Sequence, residues 1–272
     1  MWVSKQVAWV LLLLLAGGCY EKQEGCLDVL AENFDLEADV DCCPGPDNCC
    51  CEYPKVTWRI KHEYRDENLT AGKTLLTNSG QPFQIEYIRF FLSNFRLIDH
   101  GTAYAVNDSI SMRGQSGQEI LRPDDVKIVN LSTFSLDFEV FNRTGTYMTM
   151  DFTVGLTEPE LNADRTSFES SHPLASDQKE LRDTINNEWW MYDMAWIPDT
   201  STKLVQYIHR PSTDAIAISL PIDLVKNPGE SLSISIAIDY TVWLQDIDIE
   251  HDDQDTINDK LLAGLAKSFS IL

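Results

Sequence analysis

The sequence predicts an all-β fold: a two-sheet antiparallel β-sandwich with a short C-terminal helix and a small Cys-rich N-terminal module. Three observations carry that expectation. Apolar and polar residues alternate with period two in segment after segment from Val56 onward. Helix-type periodicity is confined to the end of the chain. Six of the seven cysteines crowd between Cys26 and Cys51. With 272 residues, 43% hydrophobic and 24% charged, the chain is ordinary globular material, long enough for one large domain and a small satellite.

The first element is a targeting segment. MWVSKQVAWVLLLLLAGGC carries one positive charge, Lys5, then an apolar run from Val7 to Leu15, then small residues. The run is too short for a bilayer core of about 30 Å, which takes roughly 20 residues, and it fits a secretory signal peptide over residues 1–18. Leu15-Ala16-Gly17-Gly18-Cys19 resembles a bacterial lipobox, in which Cys19 is lipidated and becomes the mature N-terminus. A plain signal peptide followed by an unrelated Cys is the competing reading. The lipobox reading predicts a protein of the cell envelope, facing the periplasm or the exterior and held to the membrane by lipid alone.

Residues 19–54 form the second element. Cys26, Cys42, Cys43, Cys49, Cys50 and Cys51 are an even set, and export to an oxidising compartment favours disulfides. Vicinal cysteines rarely bridge each other, so pairing across Pro44-Gly45-Pro46 and back to Cys26 is expected, with the connectivity open. A thiolate metal cluster is the alternative. GCLDVLAENFDLEADVDCC also resembles a short acidic module of secreted bacterial proteins, through Gly25, Cys26, Asp28, Ala31, Asn33, Ala38 and Asp41. Asp28, Asn33, Asp35, Asp39 and Asp41 offer oxygen ligands to Ca²⁺ or, more simply, a solvated acidic face.

Residues 55–272 form the sandwich. Val56, Trp58, Ile60, His62 and Tyr64 share one face of a strand, and Phe134, Leu136, Phe138 and Val140 lie on one face of a second. Met148, Met150, Phe152 and Val154 alternate with Tyr147, Thr149, Asp151 and Thr153. Ile216 to Leu220 and Leu232 to Leu244 repeat the pattern, and Phe83–Leu97 and Leu204–His209 add candidate strands. Seven to nine one-sided strands imply two packed sheets. Residues 157 to 200 lack alternation, and a connection of that length is usually functional or carries structure of its own. Thr256-x-x-Asp259 resembles a capping box, with Ile257, Leu261, Leu265 and Phe269 recurring every four residues, so one closing helix is expected.

The charge excludes whole classes of partner. There are 43 acidic and 21 basic residues, a formal charge of −22, and loss of Lys5 with the signal leaves 20 basic residues and −23. Nucleic acid and anionic lipid surfaces need clustered Lys and Arg, which are absent. The chain also lacks G-x-S-x-G, H-E-x-x-H, a phosphate loop and G-x-G-x-x-G, so it reads as a non-enzyme.

Four phrases, in order, resemble the methanobactin-associated periplasmic (MbnP-like) copper-binding proteins. QIEYIRFFLSNFRLIDHG resembles their "YYISNI-x-L" strand, and TGTYMTMDFTVGLTEPELN their "G-x-Y-x-x-I-x-F-x-I-G-V-D" segment. SSHPLA followed by MYDMAW looks like "HPL … GMYW-x-W", and INDKLLAGLAKSFSIL like the closing helix. The resemblance implies a β-sandwich that binds copper outside the cytoplasm through imidazoles. In some members a tryptophan oxidised to kynurenine adds a ligand, the oxidation being attributed to a dihaem cytochrome c peroxidase-like partner. Position by position it points to His62, His209 and His172. The departures are Asp193, standing where an aromatic is expected, and Arg210-Pro211 in place of Ile-Gly-Gly.

Of five histidines, His100 and His251 lie at a turn and in an acidic run. His62 sits on an apolar face, and His209 shares a face with Val205 and Tyr207. Each is either a core imidazole with internal partners or a neutral ligand suited to Cu, Zn or Ni. Trp58 lies roughly 13 Å from His62 along a strand, at about 3.3 Å per residue, too far to share an ion. Trp189, Trp190 and Trp196 are the candidates for modification, core packing being the alternative. The site expected is copper on His62 and His209, with His172 or one of these tryptophans as third contact. A non-metal surface module recognising glycan or protein through a Trp-rich loop is the competing function. Asp246 to Asp255 do not match an EF-hand loop, since the turn glycine is missing.

Overall fold

The computed structural model describes residues 20–42, 50–176, 180–198, 204–249 and 251–272. Residues 1–18, where a signal segment is expected, and Cys19, Cys43 and Cys49 lie outside the described residues. Among those described, no helix is long and apolar enough to cross a membrane.

In chain order the main strands are β1 (Lys55–Tyr64), β2 (Pro82–Asp99), β3 (Ser109–Arg113), β4 (Glu119–Pro123), β5 (Lys127–Asn130) and β6 (Ser135–Val140). They continue with β7 (Gly145–Val154), β8 (Glu188–Ile197), β9 (Gln206–Pro211), β10 (Ile216–Lys226), β11 (Leu232–Asp239) and β12 (Phe269–Ile271). The helices are α1 (Glu158–Leu161), α2 (Tyr240–Trp243) and α3 (Gln254–Leu265). One sheet runs β8-β2-β7-β10, with β9 on the outer side of β8 and β5 pairing with β2. The other runs β6-β1-β11-β12, and β3 and β4 form a separate hairpin. The sandwich is as expected, with one departure from antiparallel order: β1 and β11 pair in parallel, Trp58 opposite Ile234 and His62 opposite Ile238.

Period-two burial is clearest in β1, where Val56, Trp58, Ile60, His62 and Tyr64 all face inward. Trp58 meets Phe138 and Phe152 edge-on at 5.0 Å each, and Phe95 stacks on Phe138 at 4.5 Å. The alternation expected for β7 fails at its start. A register shift between Tyr147 and Thr149 turns Tyr147 into the core and leaves Met148 exposed, as a bulge does by adding one residue to a strand.

Strand β2 is buried on both faces. Phe90 and Leu92 belong to the sandwich core, while Phe91 enters a second apolar cluster with Met112, Phe168, Leu174, Leu181 and Trp189. That cluster is the outer layer formed by the β3–β4 hairpin and the described residues between β7 and β8, capped by Trp189 at the start of β8. The chain leaves β7 for it through Gly155, at φ 107°, where a Cβ would meet Ala215 Cβ at 2.7 Å.

The closing helix exists, but its cap is not Thr256. Asp253 precedes it and accepts from the Thr256 N–H at 2.8 Å. The helix ends at Leu265, and Phe269 lies on β12, packed on the Phe90 and Phe152 rings. A four-residue recurrence continued past the helix because a strand residue happened to fall in phase.

In the module, Cys26 pairs with Cys51 and Cys42 with Cys50. Asp28 accepts from Leu30 N–H and Tyr53 O–H, Asp35 from Glu37 N–H and Gln23, and Asp39 from Gln23 N–H and Tyr20 O–H. These carboxylates fasten turns. The module meets the sandwich where Glu32 accepts from Ser231, whose hydroxyl also takes the Lys55 N–H.

The Trp58 indole N–H is buried without a hydrogen-bond partner among the described residues. Trp58→Phe, which removes that donor but also one ring of the indole, leaves a cavity and is expected to cost about 1–3 kcal/mol. Trp58→Ala is expected to cost about 3–5 kcal/mol in denaturant unfolding at unchanged m-value.

Candidate functional site

The three histidines have different surroundings, and their ring nitrogens decide what each can do. His62, 2% exposed, places Nε2 3.0 Å from the Thr133 carbonyl oxygen. A carbonyl only accepts, so Nε2 carries the proton, and Nδ1 accepts from the Tyr240 hydroxyl at 3.0 Å. Burial lowers the His62 pKa, opposed by the Thr133 bond, and burial raises that of Tyr240, which stays a donor. His62 is thus a neutral core imidazole with its lone pair already used.

His172 lies in the outer layer, stacked on Phe168 at 4.4 Å and 9°. Its Nδ1 accepts the Leu174 N–H at 3.1 Å, which puts the proton on Nε2. That Nε2–H faces Asp124 Oδ1 at 3.4 Å, a separation of ion-pair rather than hydrogen-bond quality, and has no other partner among the described residues. The imidazole beside Asp124 holds its carboxyl below the usual carboxylate range, against the effect of burial. His172 acts as a donor toward a carboxylate, the opposite of a metal ligand's role.

His209 sits on β9, directly opposite Asp193 of β8. The face it was expected to share with Val205 and Tyr207 is not inward: both are exposed, and Ile208 points into the core. His209 is half-buried and stacks on Trp190 at 4.3 Å and 22°. Among the described residues, neither of its ring nitrogens has a hydrogen-bond partner. Asp183 lies within electrostatic reach; the Asn186 and Ile185 N–H groups hold its pKa down first, and His209 adds to the effect.

Asp193, where the family pattern has an aromatic, is 2% exposed and well used. Its Oδ2 accepts from Tyr87 O–H at 3.0 Å and from Arg89 Nε and Nη2 at 3.1 and 2.8 Å. Burial, then the Asp193 charge, push the Tyr87 hydroxyl up to about 12. Arg89 also reaches Glu180 at 3.4 Å and lies over the Tyr87 ring. A row of Arg89, Asp193 and His209 therefore crosses three neighbouring strands on one face.

The tryptophans do not form a loop. All three candidates are on β8, with Trp189 packed edge-on against Phe91 and Trp196 against Phe83 in the core. Trp190 is half-buried, and of the three it is the one in ring contact with a histidine.

Among the described residues, His62, His209 and His172 share no hydrogen bond, ion pair or ring contact with one another. Among the described residues, the one group of three His, Cys, Asp or Glu with converging ligand atoms is Asp41, Cys42 and Cys50, whose sulfurs are bonded to each other. Sequence reasoning missed Asp124, Arg89 and Tyr87. Asp193 carried the one available signal, a charge inside an apolar run.

The family model MbnP matches residues 53–259. The chain belongs to the MbnP family. That membership fits an extracytoplasmic protein. Among solved structures, MbnP from Methylosinus trichosporium is similar at 13% identity, over 70% of this chain and 76% of that chain, with a TM-score of 0.41. No curated protein matches the chain.

The state of His62 is testable through pH. Its folded pKa lies below the ordinary value near 6.5, so its contribution is present above 6.5 and is lost as pH falls toward the depressed value. Over that window it supplies a slope of up to about 1.4 kcal/mol per pH unit. Denaturant midpoints of wild type and His62→Gln, compared from about pH 7.5 to about pH 5, should diverge by that component. Equal slopes would show that His62 is not held neutral.

Proposed function

We propose that this MbnP-family protein is an extracytoplasmic copper-binding lipoprotein, anchored through Cys19, that takes up or stores copper and does no catalysis. The observation that carries the reading is the free lone pair of His209. His62 and His172 spend theirs on Tyr240 and on the Leu174 N–H, whereas His209 keeps its nitrogens unbonded beside an indole. Neutral imidazole suits copper. Asp183 is the nearby carboxylate, and Trp190 is the indole whose oxidised form, kynurenine, would add a ligand. A dihaem cytochrome c peroxidase-like partner would catalyse that oxidation, with peroxide or dioxygen supplying the oxygen and the indole C2 carbon leaving as formate after hydrolysis.

The proposal narrows three histidines to one. It also weakens the glycan-binding alternative, because Trp189 and Trp196 are buried and offer no stacking surface.

Metal-stripped full-length protein titrated with Cu(I) and with Cu(II) tests it. His209→Ala is expected to lose the bound copper, while His62→Gln and His172→Gln keep it. Full stoichiometry in His209→Ala would overturn the assignment. In protein from the native host, the peptide holding Trp190 is expected to show the loss of one carbon and gain of one oxygen that marks kynurenine. The same mass change on Trp189 or Trp196 alone would move the site elsewhere.

A further inference from the structure

Two arginines of the outer layer converge on one neutral acceptor. Arg165 opens a 3₁₀ turn, Arg165–Ser167, and Arg182 lies on a two-residue strand, Arg182–Asp183, that pairs with the start of β8. Arg182 stands directly opposite Trp189 in that pairing. Both arginines donate Nη2 to the Asn187 side-chain oxygen, at 2.5 and 2.6 Å. Arg165 also lies over the Trp189 ring, 5.6 Å from its centre.

An amide oxygen accepts hydrogen bonds but brings no charge, so the two guanidiniums are left uncompensated. The acids nearest them in sequence are used elsewhere. Asp164 accepts from Thr166, Asp183 from the Ile185 and Asn186 N–H groups, and Glu180 pairs with Arg89. Arg165 Nη1 and Arg182 Nε are moreover buried with no hydrogen-bond partner among the described residues. Unpaired donors on buried parts of a cation are costly, and the group that relieves two of them on two cations is an anion with more than one oxygen. Both arginines are half-buried, and Asn187, exposed at φ 62°, marks the open side.

The geometry points to an oxyanion: we propose that Arg165, Arg182 and Asn187 bind the carboxylate or phosphate group of a small molecule. Each guanidinium has five N–H donors in a planar fork, and Asn187 takes up one of them on each side. The Trp189 face and the shared oxygen hold the Arg165 fork in place before any ligand arrives, which lowers the cost of binding. Because its oxygen is occupied by both arginines, the Asn187 amide turns its N–H₂ outward as a further donor. The site stands apart from His209 and does not rest on the copper reading.

Calorimetric titration of the full chain with inorganic phosphate, and separately with succinate, tests this in an amine buffer of low ionic strength. Arg165→Gln and Arg182→Gln are each expected to weaken the preferred probe about tenfold or more, the scale of one charge-assisted hydrogen bond. Arg59→Gln, which removes an exposed charge on β1, is the control for diffuse attraction and should leave binding unchanged. Tighter binding of phosphate than of succinate, or the reverse, identifies the group. Asn187→Asp supplies the carboxylate from the protein itself, at a backbone angle that Asp tolerates. It is expected to raise the thermal midpoint and to abolish binding of both probes. No binding of either probe, equal weakening in Arg182→Gln and Arg59→Gln, or a lower midpoint in Asn187→Asp would overturn the proposal. His209→Ala is expected to keep the anion, so failure of the copper assignment is read separately. Asn187→Asp keeps the test open should the arginine variants fail to fold, because Asn187 is exposed.

Discussion

Much of the molecule depends on β2 having no solvent face along its middle. Phe90 and Leu92 fill the sandwich, and Phe91, pointing the other way, must also leave water. Full burial of one such side chain is worth about 1.5–3 kcal/mol, and it is realised when another layer covers the sheet. The β3–β4 hairpin and the described residues between β7 and β8 supply that layer. Covering the sheet brings Phe168, His172 and Leu174 over Phe91, and it places Trp189 and Trp190 at the rim. The His172–Asp124 pair and the β8–β9 edge are both consequences of covering one strand twice.

Within that frame the imidazoles are sorted by hydrogen bonding rather than by exposure alone. A neutral imidazole has one proton and one lone pair, so a single carbonyl or N–H neighbour fixes the tautomer. Thr133 does this for His62 and Leu174 for His172. His209, on a strand paired on one side only, meets an indole face instead, and a ring face leaves both nitrogens open. The same residue type serves as core filler, carboxylate positioner and free donor.

The ion pair between half-buried Arg89 and buried Asp193 explains how the chain tolerates its departure from the family pattern. An unpaired buried carboxylate would cost several kcal/mol. Here one oxygen receives three donors from β2, and the charge beside His209 is anchored rather than free. The row Arg89–Asp193–His209 couples the edge strand to the central one.

Alternation, being local, made the strands of β1, β6, β10 and β11 legible from sequence, as the clustered cysteines did the module. Chain order alone was also enough to carry the family resemblance. The inward face of His62 could be read, because Ile60 and Tyr64 flank it. Its partners could not: Thr133 and Tyr240 lie 71 and 178 positions away. The bulge that turned Tyr147 inward, the outer layer over Phe91 and the outward turn of Val205 and Tyr207 are likewise settled between strands. Sequence periodicity records which side of a strand avoids water. Which donor meets which lone pair is set by packing between distant segments, and that is what separated His209 from His62 and His172.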